Sequence, residues 1–182
     1  MFRYLVYLVA DLAMEVIAVP AAFVLPFFAN KEGWLPRWLW WFQTPDNSLN
    51  GDQGWQTQHW QWRYKLPKPL CTYVGQMGWL LRNRAYGFKW TVISALVVQK
   101  ALGYRGDITI KNRDHAKAGV VHCWMNQYWQ YKRITRIGQS QKCIMLNFGW
   151  QLDNYITNPT LYLTQPRALF MFSPRICAFH PD

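Results

Sequence analysis

The chain opens on a long apolar stretch. From Tyr4 to Phe28, 25 residues hold only two charges, Asp11 and Glu15, and the run is long enough to cross a bilayer as a helix. Directly after it, Trp34-Leu35-Pro36-Arg37-Trp38-Leu39-Trp40-Trp41-Phe42 has the tryptophan-rich composition found where hydrocarbon meets headgroups. The pattern predicts a membrane-anchor helix over residues 1–29 with an aromatic interfacial collar. A secretory signal peptide fits less well, because its apolar core is roughly 7–15 residues and Phe27-Phe28-Ala29 is a poor cleavage context. The arithmetic of insertion is nearly balanced. Each central carboxylate costs about 2.5–3.5 kcal/mol, against 13 Leu, Ile, Val and Phe residues at about −0.3 to −0.6 kcal/mol each. An interfacial helix and the buried helix of a soluble domain are therefore the competing expectations.

Asp11 and Glu15 are four apart and share one helix face. Carboxylates within a membrane face protein or a water-filled cavity, not lipid. They are the candidate intramembrane contact, either for a partner helix or for a cationic part of this chain. Pro20 and Pro26 are expected to kink the helix or mark its end, since each removes a backbone donor.

Past the collar the pattern becomes irregular. Thr44 to Trp55 reads as a polar loop, and Trp55 to Lys65 as a tryptophan-rich segment closing the region 30–66. Pro67-Lys68-Pro69 reads as a short linker opening a basic domain over 67–182. Tyr73–Leu81 reads as helix despite Gly75 and Gly78, Arg82–Gly87 as a turn, and Trp90–Leu102 as a helix stopped by Gly103. Strands are expected from there on. Ile108-Thr109-Ile110 begins them, Val120–Arg136 is rich in β-branched and aromatic residues, and Gly138–Gln141 supplies turn chemistry. Ile144, Leu146, Phe148 and Trp150 then alternate with Met145, Asn147, Gly149 and Gln151 at a period of two. Leu161–Thr164 and Leu169–Phe172 complete an expected antiparallel meander. The fold class is α+β, a single apolar helix followed by a small domain with a C-terminal antiparallel sheet.

Charge and composition narrow the partners. The 182 residues carry a net +11 and 12 tryptophans. Residues 1–29 carry −1, so residues 30–182 carry +12. The excess of Lys and Arg after the helix favours a cytoplasmic C-terminal domain. A basic, aromatic surface suits anionic lipid headgroups or nucleic acid, but Lys and Arg are scattered and no nucleic-acid motif is present. Cys71, Cys123, Cys143 and Cys177 are widely spaced, without the closely paired ligands of a zinc site.

Candidate chemistry is thin. In Asp46-Asn47-Ser48-Leu49-Asn50-Gly51-Asp52 the oxygens of Asp46, Ser48, Asn50 and Asp52 follow the opening of a calcium loop. The twelfth position is Thr57 instead of a bidentate glutamate, so the alternative is an Asx-rich turn satisfying its own backbone amides. No other cofactor is suggested. His59, His115, His122 and His180 show no metal spacing, and Asp114-His115 reads as a solvated loop. His122 and Cys123, adjacent in an expected strand, point to opposite faces and cannot pair as base and nucleophile. No nucleophile elbow, phosphate-binding glycine loop or dinucleotide fingerprint occurs, so no enzymatic role is expected. Arg82 and Arg84 are the candidates for headgroup or phosphate binding, with Asn83 as a helix cap and Trp79 and Tyr86 as packing.

Two strings resemble a family. Trp41-x-x-Thr44-Pro45-Asp46-Asn47-x-Leu49-x-Gly51-Asp52-x-Gly54-Trp55 and Trp79-Leu80-Leu81-Arg82-Asn83-x-x-x-Gly87-Phe88 look like an uncharacterised family of small tailed-bacteriophage and prophage proteins. Those proteins also begin with an apolar helix and end in a strand-rich part like Leu169–Arg175. Asn50 stands where that family's loop often has Asp, which weakens a cation site. The resemblance implies phage origin and no mechanism. The leading expectation is a membrane-anchored phage accessory protein binding a membrane protein or anionic lipid at the host inner membrane. The alternatives are a virion component, with the helix buried against virion proteins or further copies of this chain, and a nucleic-acid-binding protein.

Overall fold

The computed structural model describes residues 2–98, 101–110 and 117–179. Asp114, His115 and His180 lie outside the described residues. The fold is α+β: an N-terminal apolar helix, then short helices, then antiparallel sheets. The chain forms two compact units, Met1–Ile93 and Ser94–Asp182. The expected boundary at 66/67 falls within the first of them.

In the first unit the apolar stretch is α1 (Phe2–Val24), extended by a 3₁₀ turn at Leu25–Phe28. Pro20 lies inside the helix, while Pro26 opens the turn that ends it. The collar forms a second 3₁₀ turn, Arg37–Phe42, followed by α2 (Gln53–His59) and a turn at Gln61–Lys65. The expected linker at Pro67-Lys68-Pro69 is instead the start of α3 (Lys68–Arg82). Proline is tolerated in a first helical turn, where the amides have no intrahelical acceptor. Gly75 survives in α3 because a Cβ there would collide with the Arg63 guanidinium. Asn83 ends α3, donating from Nδ2 to Trp79 O at 3.1 Å. Ala22, Leu25, Leu35, Leu39, Leu49 and Leu80 form the core that joins α1, the collar, the loop and α3.

A one-turn helix, α4 (Tyr86–Phe88), leads into a π-helical turn, Lys89–Ile93. The helix expected over Trp90–Leu102 therefore does not form. Beyond the π-turn come two short strands, β1 (Ala95–Leu96) and β2 (Leu102–Gly106). Val92, Ile93, Val97 and Val98 are β-branched and lose side-chain freedom in a helix.

The second unit is built on five antiparallel strands in the order β2-β3-β4-β5-β7, where β3 is Gly119–Met125, β4 Tyr128–Arg136, β5 Lys142–Trp150 and β7 Phe170–Ala178. β6 (Arg167–Ala168) pairs with β1 in a separate ribbon. The run Val120–Arg136 is a hairpin and not one strand. Its two-residue turn holds Asn126 at φ 54°, a conformation asparagine accepts at modest cost. Ile108 and Thr109 form a turn, with the Thr109 amide and hydroxyl both donating to Asp107 Oδ1. Leu161–Leu163 is a 3₁₀ turn following α5 (Asp153–Thr157), so it adds no strand.

The sheet buries one face. Val121, Cys123 and Met125 of β3 lie beside Gln130, Lys132 and Ile134 of β4 and Cys143, Met145 and Asn147 of β5. The other face carries Ile144 opposite Ile176, Leu146 opposite Pro174 and Phe148 opposite Phe172.

Candidate membrane interface

α1 divides sharply into two faces. Asp11, Ala18 and Ala22 are buried, whereas Val9 is 69% exposed and Val16 72%, with Phe2, Leu5, Leu12 and Phe23 also exposed. Phe2–Phe28 is the one helix, among the described residues, long and apolar enough to cross a membrane by length and composition. The two carboxylates turn inward. Lys89 Nζ lies 2.6 Å from Glu15 Oε1 and 3.2 Å from Asp11 Oδ2. The ammonium comes from the π-turn, whose wider winding shifts side chains relative to a regular helix. Opposite charges compensate one another here, and the cost of keeping carboxylates on an apolar helix falls accordingly. At the other end of α1, the Tyr73 hydroxyl donates to Phe23 O at 2.9 Å and its ring packs on Phe27.

Exposed aromatics continue the apolar face. Trp38, Trp40 and Trp41 of the collar are each at least half exposed, as are Phe27, Trp62 and Tyr64. Trp40 Nε1 donates to Leu35 O, which holds the collar turn shut.

Arg82 sits in an aromatic cradle. Its guanidinium carbon lies 4.8 Å from the Trp55 ring centroid and 5.2 Å from that of Trp79. Cation–π contact uses the flat face of the group and leaves its N–H edge free to donate. Trp55 also stacks on His59 at 5.6 Å. Arg84, two residues on, is exposed. The two predicted headgroup arginines are thus in different situations, one braced by indoles and one in solvent.

The predicted calcium loop serves as an interlock. Asn50 Nδ2 donates to Glu32 O at 2.9 Å, its Oδ1 accepts from Gln76 Nε2 at 3.0 Å, and its carbonyl accepts from Gln56 Nε2. Ser48 Oγ accepts from the Asn50 amide, and Asp52 Oδ1 accepts from Gly54 N at 2.8 Å as the cap of α2. Asp46 helps raise the pKa of Tyr86, whose burial is the larger cause. Gly51, at φ +66°, lies against the Trp79 ring where a side chain does not fit. The side-chain oxygens of Ser48, Asn50 and Asp52 all accept hydrogen bonds from the chain's own donors, as in an Asx-rich turn.

Comparison with known proteins adds one result. A family model described as "Family of unknown function (DUF7338)" matches residues 1–177. The chain belongs to that family. No curated protein and no solved structure matches the chain.

The second unit carries polar chemistry that sequence reasoning missed. Lys132 is fully buried and pairs with Asp153 of α5, while its Nζ also donates to Ile110 O at 2.6 Å. Gln130 Oε1 accepts the amides of Leu152 and Asp153 at 2.8 Å each, and its Nε2 donates to Asn147 Oδ1 at 3.0 Å. The available signal was the alternation Gln130-x-Lys132-x-Ile134, which puts two polar residues on the same strand face as an apolar one. Cys123 lies in the same layer. Burial first, and then the nearby Asp153, push its thiol up to about 12, with Lys132 opposing. A thiol so held is protonated and poorly nucleophilic at neutral pH. His122, its neighbour, is exposed on the opposite face beside Trp124.

Proposed function

We propose that the chain is a membrane-anchored accessory protein that acts by binding and not by catalysis. One observation carries this reading: α1 turns Asp11 and Glu15 inward to Lys89 while its remaining face is exposed and apolar. Lipid is the medium that suits such a face, since carboxylates directed at a partner inside the same chain do not meet hydrocarbon. The exposed collar tryptophans suit the boundary with headgroups. Arg82, held flat by Trp55 and Trp79, and Arg84 are the proposed contacts for headgroup phosphates.

The second unit supplies the proposed binding surface for a membrane protein or anionic lipid. Its open sheet face combines Ile144, Phe172 and Ile176 with Arg105 and Arg133. Its buried Lys132–Asp153 pair and protonated Cys123 are withdrawn from any substrate. The resemblance to small phage and prophage proteins supports a bacteriophage accessory role at the host inner membrane, with the second unit on the cytoplasmic side. Fractionation of bacteria expressing the full chain tests the anchor. Retention in membranes through alkaline carbonate and high salt is the expected result. A chain soluble from the start overturns the reading and favours the virion alternative, in which other subunits cover α1.

A further inference from the structure

A cavity in the first unit is used neither by the anchor nor by the arginine cradle. It measures about 500 Å³, with Trp34, Trp40 and Trp90 among its walls and Pro45, Gly87 and Thr91 between them. That volume falls within the roughly 300–1,000 Å³ of small-molecule sites. Several polar groups lining it already have partners within the chain. Thr91 Oγ1 donates to Gly87 O, Thr44 Oγ1 donates to Asn47 O, and Gln43 Oε1 accepts the Leu35 amide. No charged side chain is among its lining residues. A charged ligand would lose its water and find no charged partner on these walls. A flexible apolar chain loses nothing of that kind.

The position of the opening narrows the occupant further. Trp40 is half exposed and belongs to the same 3₁₀ turn as the exposed Trp38 and Trp41, so the cavity is continuous with the aromatic collar. Arg37 lies three residues before Trp40 in that turn. Residues at i and i+3 of a 3₁₀ helix eclipse one another, which places an exposed cation on the edge that Trp40 occupies. A site with an apolar interior and a cation beside its wall has the chemistry of a phospholipid, acyl chain inside and phosphate outside.

We propose that this cavity holds one acyl chain of a bilayer phospholipid, with Arg37 meeting its phosphate. The inference rests on the membrane reading above. It adds a specific lipid-binding site distinct from the outer face of α1.

The test is photolabelling of the full chain in phosphatidylglycerol–phosphatidylcholine vesicles containing a phospholipid with a diazirine in its acyl chain, mapped by mass spectrometry. Labels are expected on the exposed face of α1, around Val9 and Val16, and also on Trp34, Trp40 or Trp90. Thr91→Trp puts an indole at the cavity wall and narrows it, and is expected to lower the second group by about tenfold while sparing the first. Labels on α1 alone overturn the lipid site and leave the anchor standing. Labels on neither overturn both. Cavity labels that persist unchanged in a folded Thr91→Trp chain overturn the site as well, since they then come from the open surface. Should that variant fail to fold, Arg37→Gln supplies the second arm: weaker labelling with phosphatidylglycerol supports the site, and labelling that does not change overturns the role of Arg37.

Discussion

Each unit sets a lysine against carboxylates, and the two do so for different ends. Lys132 is fully enclosed and fastens α5 to the inner face of the sheet, where Gln130 also accepts the backbone amides of Leu152 and Asp153. Lys89 is partly open and faces two carboxylates on a helix whose other side is bare hydrocarbon. In the sheet the charges specify how a cover packs. On α1 they define which side of an apolar helix belongs to protein and which is left for another medium. An ion pair inside a fold is weak evidence of stability, because desolvation offsets most of the attraction. What it does enforce is arrangement, since either partner alone is costly.

The largest effect is expected in the second unit. Lys132→Met strands Asp153 without water or a cation, and should lower stability by about 3–5 kcal/mol in urea unfolding. Lys132→Met with Asp153→Leu should recover most of the loss. A single variant as damaging as the double would mean that the pair itself, not the orphaned charge, matters. In the first unit Lys89→Met is expected to cost about 2 kcal/mol, below the fully buried case because water reaches both Lys89 and Glu15. Asp11→Asn with Glu15→Gln should rescue it, read as restored resistance of α1 to protease. Asn50→Ala removes both side-chain bonds that join the loop to Glu32 and Gln76 and should cost about 1–2 kcal/mol. Calcium should leave the melting temperature of the native chain unchanged; a calcium-dependent rise would restore the cation loop.

The smallest effect lies at the surface. Lys117 and Thr109 hold the Asp107 carboxyl at about 2, below its ordinary 3.8. A depressed carboxylate stabilises above its unfolded value and loses that contribution as pH falls from about 4 towards 2. Thermal unfolding across that window should show a shallow decline in the native chain and a flatter one in Asp107→Asn.

The contrast between the units also explains what the sequence made legible. The α1 stretch, its two-charge face and the opposite orientations of His122 and Cys123 follow from periodicity alone. Lys89 as the partner of Asp11 and Glu15 does not, because it lies 74 residues beyond Glu15 and no local pattern joins them. Pro67 and Pro69 read as a breaker because proline disrupts helix interiors, although the same residues start helices. Asn126, at positive φ, is the residue that marks the hairpin within Val120–Arg136, where aromatic and β-branched residues lie on both sides of it. The period of two in β5 was plain, yet the row that is buried holds Asn147 beside Lys132 and Gln130 of the neighbouring strand. Only Asp153 and the Ile110 carbonyl, supplied from elsewhere in the chain, make that burial tolerable. Arg82 was found as a candidate cation, but its cradle of Trp55 and Trp79 depends on how α2 meets α3.

If the two faces of α1 meet different media, site-directed spin labels on each will report it. Single cysteines at Val9, Val16, Ala18 and Ala22, in a chain with its native cysteines replaced by alanine, are labelled and reconstituted into vesicles. Nitroxides at Val9 and Val16 should be accessible to oxygen and shielded from a water-soluble nickel chelate, while those at Ala18 and Ala22 should be shielded from both. Nickel accessibility at Val9 and Val16 would place that face in water and overturn the membrane anchor.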